Sequence, residues 1–327
     1  QLEICFNKAL QNYYTRRMNM KISGFSMARN ATKLYYPIKE AILSILPICD
    51  EFIIAVGKGD EDDRTREEIM SIGSDKIRII DTVWEEKDFV KGRVNAIQTN
   101  IALDQCSGDW CFYIQADEVV HEKYLPIIKD RCLELLEDQE VEGLVFDYRH
   151  FWGDYEHYHI THGWYKREVR IIRNKIGIRS NNSAQGFRKN GERIRAAHAH
   201  AEIFHYGWVR PPYFMQNKCK ALRTVHWGKK TVEEYYKNLP QEFDFGPLDK
   251  LPVYKGTHPQ VMQQLIAKMN WKDKLQYTGK PNPHRELHIH EHLDKRILTY
   301  FEQKLERKFG GKVYLNNHRN YVLLGNK

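Results

Sequence analysis

Between Lys21 and Glu122 the chain alternates four short apolar runs with three helical patterns, and this alternation restricts the fold more than any other feature. Lys21–Met27 (KISGFSM) alternates apolar and polar residues with the period of a strand. Ile38, Ala41, Ile42 and Ile45 then recur at helical spacing, with Pro37 in the first turn and Pro47 as the stop. Asp50–Gly57 (DEFIIAVG) reads as a compact strand followed by an acidic, Gly-containing loop, KGDEDDRT. REEIMSIG predicts a short helix and Lys76–Trp84 a third strand. Val94, Ile97, Ile101 and Ala102 mark a helix that ends near Gly108. Cys111–Ile114 is a fourth, buried strand, and it stops on Gln115-Ala116-Asp117-Glu118. This order predicts an α/β fold, a mostly parallel sheet with helices on both faces. Such sheets bind ligands at the carboxyl ends of their strands. Arg29-Asn30, the Asp60–Asp63 loop and Asp117-Glu118 all fall at that edge.

After residue 122 the pattern changes. YLPIIKDRCLELLED predicts a helix; EGLVFDYRHFWGDYEHY and EVRIIRN predict strands added antiparallel. Asn190-Gly191 is a hairpin-turn signal, and Ala201–Trp208 (AEIFHYGW) a further strand. From Pro211 the chain is helical and basic, with 21 Lys/Arg against 11 Asp/Glu, although the whole carries only +8. The expected division is an extension over 1–19, with Met18 or Met20 as a natural start, an α/β domain over 20–210, and a helical region over 211–327. No apolar run approaches the roughly 18 residues of a membrane span, and Gln1–Arg17 lacks the apolar core of a secretory signal. Six Cys without a C-x-x-C pair predict reduced thiols and a cytoplasmic protein. The basic excess predicts an anionic partner, either a glycolipid or a membrane leaflet touched peripherally; a solvated helical surface accounts for it equally. With no recognised binding motif, nucleic acid is not an expected partner.

Four motifs in order resemble an inverting family 2 glycosyltransferase with the GT-A fold. They are Arg29-Asn30 after the first strand, VGKGDEDDRT with Asp63-Arg64-Thr65 after the second, Asn100 in QTNIAL, and FYIQADE where that family writes a D-x-D metal motif. Gln115–Glu118 (QADE) and His205–Trp208 (HYGW) resemble one bacterial branch of it. The resemblance covers roughly residues 20–210. It implies a nucleotide-sugar donor, a glycan or anionic glycolipid acceptor of bacterial surface polysaccharide or lipopolysaccharide synthesis, and Mn²⁺ or Mg²⁺ as cofactor.

It further implies Asp117 and His205 as metal ligands, and Arg29, Asn30, Asp63, Arg93, Asn100, Gln115 and Ala116 as donor-binding residues. Three have competing readings. His205 also reads as an ordinary strand histidine, Arg93 as a solvated charge, and Asp63 as a helix cap. Gln115 departs from the motif, because an amide is a poor substitute for a hard anionic ligand; a non-catalytic GT-A-like module that binds nucleotide or glycan is therefore the alternative. A direct displacement needs a general base. Glu168 ranks first, on one strand face with Arg170, and Asp154 second. Trp164 and Tyr165 suit a sugar face. His288, His290 and His292 alternate, which admits zinc binding.

Overall fold

A computed structural model of the chain describes residues 19–313, 315, 320–325 and 327. The expected extension over 1–19 lies outside the described residues except for its last position, as does Cys5. The first half follows the alternation: β1 (Ile22–Ala28), α1 (Ile38–Ile45), β2 (Glu51–Gly57), α2 (Thr65–Met70), β3 (Ile77–Thr82), α3 (Arg93–Leu103) and β4 (Trp110–Tyr113). Next come β5 (Glu118–Val120), α4 (Leu125–Glu134), β6 (Gly143–Trp152), β7 (Tyr158–His159), β8 (Arg167–Arg173), β9 (Ile178–Ser180), β10 (Phe187–Lys189) and β11 (Glu192–Trp208). Helices α5 (Pro212–Trp227), α6 (Lys229–Tyr236), α7 (Gln263–Ala267) and α8 (Leu293–Phe309) precede β12 (Tyr321–Leu323).

The strands form one sheet in the order β3-β2-β1-β4-β8-β6-β11-β10-β9. Period-two alternation sorts its side chains into two layers. Ile22, Phe52, Ile54, Phe112 and Phe146 pack with Ile42 of α1 and Ile128 of α4. Phe25, Ile53, Tyr113 and Val145 pack on the other face with Ala102 and Leu103 of α3. The α/β class expected from the sequence, helices on both faces of a sheet parallel in its first half, is the fold observed.

Strand direction explains why one edge collects the polar residues. β1 runs parallel to β2 and β4, and β8 lies antiparallel between β4 and β6. β11 runs parallel to β6. The carboxyl ends of β1, β4, β6 and β11 and the loop that enters β8 therefore share one edge. The antiparallel addition expected of these strands is found at β8, which pairs antiparallel with both β4 and β6, while β6 and β11 run parallel. β11 also begins at Glu192 and not near Ala201, because Asn190 and Gly191, at φ 51° and 85°, turn the chain straight into it. Its first half is rich in alanine and shifts register between His198 and Glu202, so it shows no apolar alternation to read.

The helical region after residue 211 does not stand apart. Met215, Phe245, Leu248 and Trp271 share a core with Phe151, Trp152, Phe204 and Tyr206, and β12 pairs with β11. His288 and His290 pack on Trp152 at 5.0 Å. Among the described residues, no helix is long and apolar enough to cross a membrane.

Candidate active site

A cleft of about 770 Å³ opens at the shared edge, floored by the ends of β1 and β4 and walled by α5. Arg29, Asn30, Gln115, Ala116, Asp117 and His205 all line it. Backbone pairing creates this meeting. After β4 the chain crosses to β11 through β5, in a register that sets Glu118 opposite His205. Tyr206 N–H then donates to the Asp117 carbonyl at 2.8 Å. The turn is fixed from behind by Glu118, which is fully buried. Glu118 takes the Arg170 guanidinium at 2.8 and 2.7 Å and accepts from the Tyr148 hydroxyl at 2.7 Å. A buried ion pair holds only when its remaining hydrogen-bonding capacity is met, as it is here.

Asp117 Oδ2 lies 3.7 Å from His205 Nε2 and 3.2 Å from Lys218 Nζ. Burial opposes ionisation of Asp117, but the charges of Lys218, His205 and Arg210 outweigh it and hold the carboxyl far below its usual range. Burial, with Arg210 nearby, pushes the Lys218 ammonium down to about 8 against the pull of Asp117. Lys218 also donates to the Gly207 carbonyl.

The imidazole of His205 is oriented through a second one. His150 Nε2 meets the Tyr165 carbonyl at 2.7 Å, an oxygen that can only accept, so that nitrogen carries the hydrogen. Burial, reinforced by His205, drives the His150 pKa well below the ordinary histidine value, so the ring is neutral and its Nδ1 accepts. His205 Nδ1, 2.9 Å away, therefore donates to it. When His205 carries a single proton, this bond keeps it on Nδ1, and Nε2 then turns a lone pair to the side of Asp117. A carboxylate and an outward imidazole lone pair, the second nitrogen fixed by a hydrogen bond, are the donors a first-row cation takes. Gly207 keeps the space open: a Cβ there would lie 2.5 Å from His205 Nε2 and 2.7 Å from Asp117 Oδ2. Asp117 and His205 offer a divalent cation two protein donors; among the described residues no third His, Cys, Asp or Glu joins them, so the other positions would fall to phosphate and water.

The other expected residues fall in different places. Arg29 donates to the Lys58 carbonyl and sits 5.8 Å from the Trp84 ring. Asn30, at φ 55°, accepts from the Asp60 N–H at 2.8 Å. Gln115 donates to the Ala184 carbonyl at 3.1 Å. Asp63 accepts from the hydroxyls of Thr32 and Thr65 and lines a neighbouring hollow. Asn100 makes a reciprocal pair with the Ser180 backbone, which ties α3 to β9. Arg93 is exposed beside Asp88. None of Asp63, Asn100 and Arg93 lines the cleft.

Neither carboxylate considered as a base lines it either. Asp154 accepts from the backbone N–H groups of Glu156 and His157 and from His157 Nδ1, so it closes its own loop. Glu168 is buried behind Gln185, which does line the cleft. Its Oε1 accepts from Gln185 at 3.0 Å and Asn320 at 2.9 Å; its Oε2 has no partner among the described residues. Burial, opposed by Arg170, raises its pKa to about 7. Trp164 and Tyr165 do line the cleft.

The sequence reading missed Lys218, His150 and Trp84. Lys218 carried a signal, since it occupies a buried position of α5 three residues after Met215. Gly207 carried another, because a glycine inside a strand marks a close approach.

No family model matches the chain, and no curated protein matches it. Among solved structures, glucosyl-3-phosphoglycerate synthase from Mycobacterium tuberculosis, in complex with Mn²⁺, UDP and phosphoglyceric acid, is 20% identical at a TM-score of 0.29, over 42% of this chain and 46% of that one. A second structure of that synthase is 19% identical at a TM-score of 0.30, over 42% and 48%. The chain spans less than half the length of these proteins.

Proposed function

We propose that the protein is an inverting GT-A glycosyltransferase that moves a sugar from a nucleotide-diphosphate donor to a glycan or anionic glycolipid. The setting we propose is synthesis of a bacterial surface polysaccharide or lipopolysaccharide, in the cytoplasm or at the inner face of the membrane. One observation carries the reading: Asp117 and His205, brought from distant strands, bring an ionised carboxylate and an imidazole Nε2 to within 3.7 Å of each other in the cleft, with the other imidazole nitrogen held by His150. A bound Mn²⁺ or Mg²⁺ would supply Lewis-acid neutralisation of the diphosphate charge. Lys218 and Arg29, both lining the cleft, add fixed positive charge for the same diphosphate. Trp84, beside Arg29, offers a flat apolar face to a nucleobase. Glu168 takes the proton of the acceptor hydroxyl in this reading, and Gln185 must swing aside to admit it.

The test is thermal stability of the full chain with UDP or GDP, with and without Mn²⁺. A ligand at about a hundred times its Kd raises stability by about 2.7 kcal/mol. We expect a shift that needs nucleotide and Mn²⁺ together and disappears in Asp117→Ala. A shift that persists unchanged in Asp117→Ala would overturn the metal assignment. A shift without any sugar transfer would favour the binding-module alternative that Gln115 suggests.

A further inference from the structure

Helix α8 is attached the wrong way round for an ordinary amphipathic helix. Its inner face is polar. Glu302 accepts from His162 Nδ1 at 2.9 Å, Glu306 takes the Lys166 ammonium at 2.6 Å, and the Thr299 hydroxyl accepts from the His162 N–H at 2.8 Å. Its outer face is apolar: Leu293, Ile297, Tyr300 and Phe301 are 70, 49, 56 and 50% exposed. At 100° per residue these four share one arc. Arg296, Lys304, Arg307 and Lys308 are exposed on the same arc, and Asp294 is the one acid there. The four cations make no ion pair among the described residues. A surface helix normally buries its apolar stripe; here that stripe faces out over a helix about 25 Å long.

We propose that this face docks the protein onto an anionic lipid bilayer, with α8 lying in the plane of the headgroups. The mixture of residues selects this occupant. Lys304 and Lys308 sit within the apolar arc, where a protein partner would have to bury them, and protein interface cores are depleted in lysine. At a bilayer their stems lie along the acyl boundary while the ammonium groups reach anionic headgroups. The site of attachment adds a reason. The loop 161–166 holds α8 through His162 and Lys166, and the same loop gives Trp164 and Tyr165 to the cleft. A helix seated on the surface thus brings the cleft wall beside lipid-borne headgroups. The docking itself does not depend on the reaction assigned to the cleft.

The test is flotation of the full chain with vesicles of phosphatidylcholine alone, or with about a third phosphatidylglycerol, without donor or turnover. We expect binding to the anionic vesicles only, weakening steeply as salt rises. Ile297→Ser/Phe301→Ser should bind about a hundredfold more weakly, roughly tenfold for each apolar side chain lost. Lys304→Glu/Lys308→Glu should lose at least about fivefold per charge and most of the salt dependence. All four positions are exposed, so circular dichroism and melting should match the parent. Absence of flotation, equal binding to neutral vesicles, or parental binding by the Ile297→Ser/Phe301→Ser variant would each overturn the proposal. So would a dimer in lipid-free solution that the same variant dissociates, since the face would then meet a second copy.

Discussion

Gly207→Ala adds one carbon at the point where the site has least room. The new Cβ would stand 2.5 Å from His205 Nε2, 2.6 Å from its Cε1 and 2.7 Å from Asp117 Oδ2. Ordinary contact between such atoms begins near 3.4 Å, so the imidazole must retreat by about 1 Å. It cannot retreat in line, because His150 Nδ1 is already 2.9 Å behind it and His150 rests on the Tyr165 carbonyl at 2.7 Å. The ring must tilt, which aims its lone pair away from Asp117. The backbone is not at issue, since Gly207 is not among the residues with positive φ. Overpacking of this kind costs about 1–3 kcal/mol, which lowers the melting temperature by several degrees, at roughly 2–4 °C per kcal/mol. A displacement of about 1 Å at a reacting centre costs about 10²-fold in rate. Two assays read the result: transfer rate, and the Mn²⁺-dependent rise in melting temperature with nucleotide. Both should fall together. A variant with parental turnover and a parental Mn²⁺ response would refute the claim that His205 and Asp117 converge on a cation.

Three further outcomes follow from the same geometry. His150→Phe keeps the ring's bulk but strands the His205 Nδ1–H; the Mn²⁺ concentration for half-maximal stabilisation should rise about 10–100-fold, and His150→Asn, whose amide oxygen can accept that hydrogen, should recover part of it. Glu168 titrates at about 7 in the folded chain against 4.5 when unperturbed. Between those values the folded state holds a proton the unfolded state has released, so stability falls as pH rises through that window, by about 3 kcal/mol in all. Denaturant titrations should show Glu168→Gln gaining on the parent from pH 5 to 8; parallel curves would mean the group is not buried as described. If Glu168 is the base, the same variant loses about 10²-fold or more in rate, together with the acid limb near pH 7. Asp154→Asn should lower stability by about 1–2 kcal/mol through its loop while turnover stays within a few-fold; a dead but stably folded variant would return Asp154 to consideration.

The strands were legible where apolar residues alternated or ran together in a short block. Phe52, Ile53 and Ile54 announce β2 whatever surrounds them. The Ala-rich start of β11 does not announce itself, because small residues bury without leaving a periodic signal. At the site, sequence could place Asp117 and His205 at strand ends, but not the pairing that sets β5 against β11. Nor could it find the partner of Arg170. The strand alternation puts Glu168 beside Arg170, yet the guanidinium fork is taken by Glu118, 52 residues earlier. Asp63 and Asn100 lie in the order the motifs require, but side-chain direction sends both elsewhere, and Arg93 is exposed beside Asp88. His150 was invisible because its role exists only through contact with another ring.

β11 also governs how quickly such a site can come into being. Its Ile194–Ala196 segment pairs with Tyr321–Leu323, its later residues pair with β6, and its end carries His205 to Asp117. Each pairing joins segments far apart in the chain and must close a long loop before any contact rewards it. On the ribosome, the Ile194–Ala196 segment of β11 stays open on one side until Tyr321–Leu323 has emerged, long after the cleft residues themselves have been made. In refolding from denaturant, helical signal should return early and nucleotide-dependent protection last, in the slowest phase. Substitutions in β12, which supplies no residue lining the cleft, should lengthen that phase.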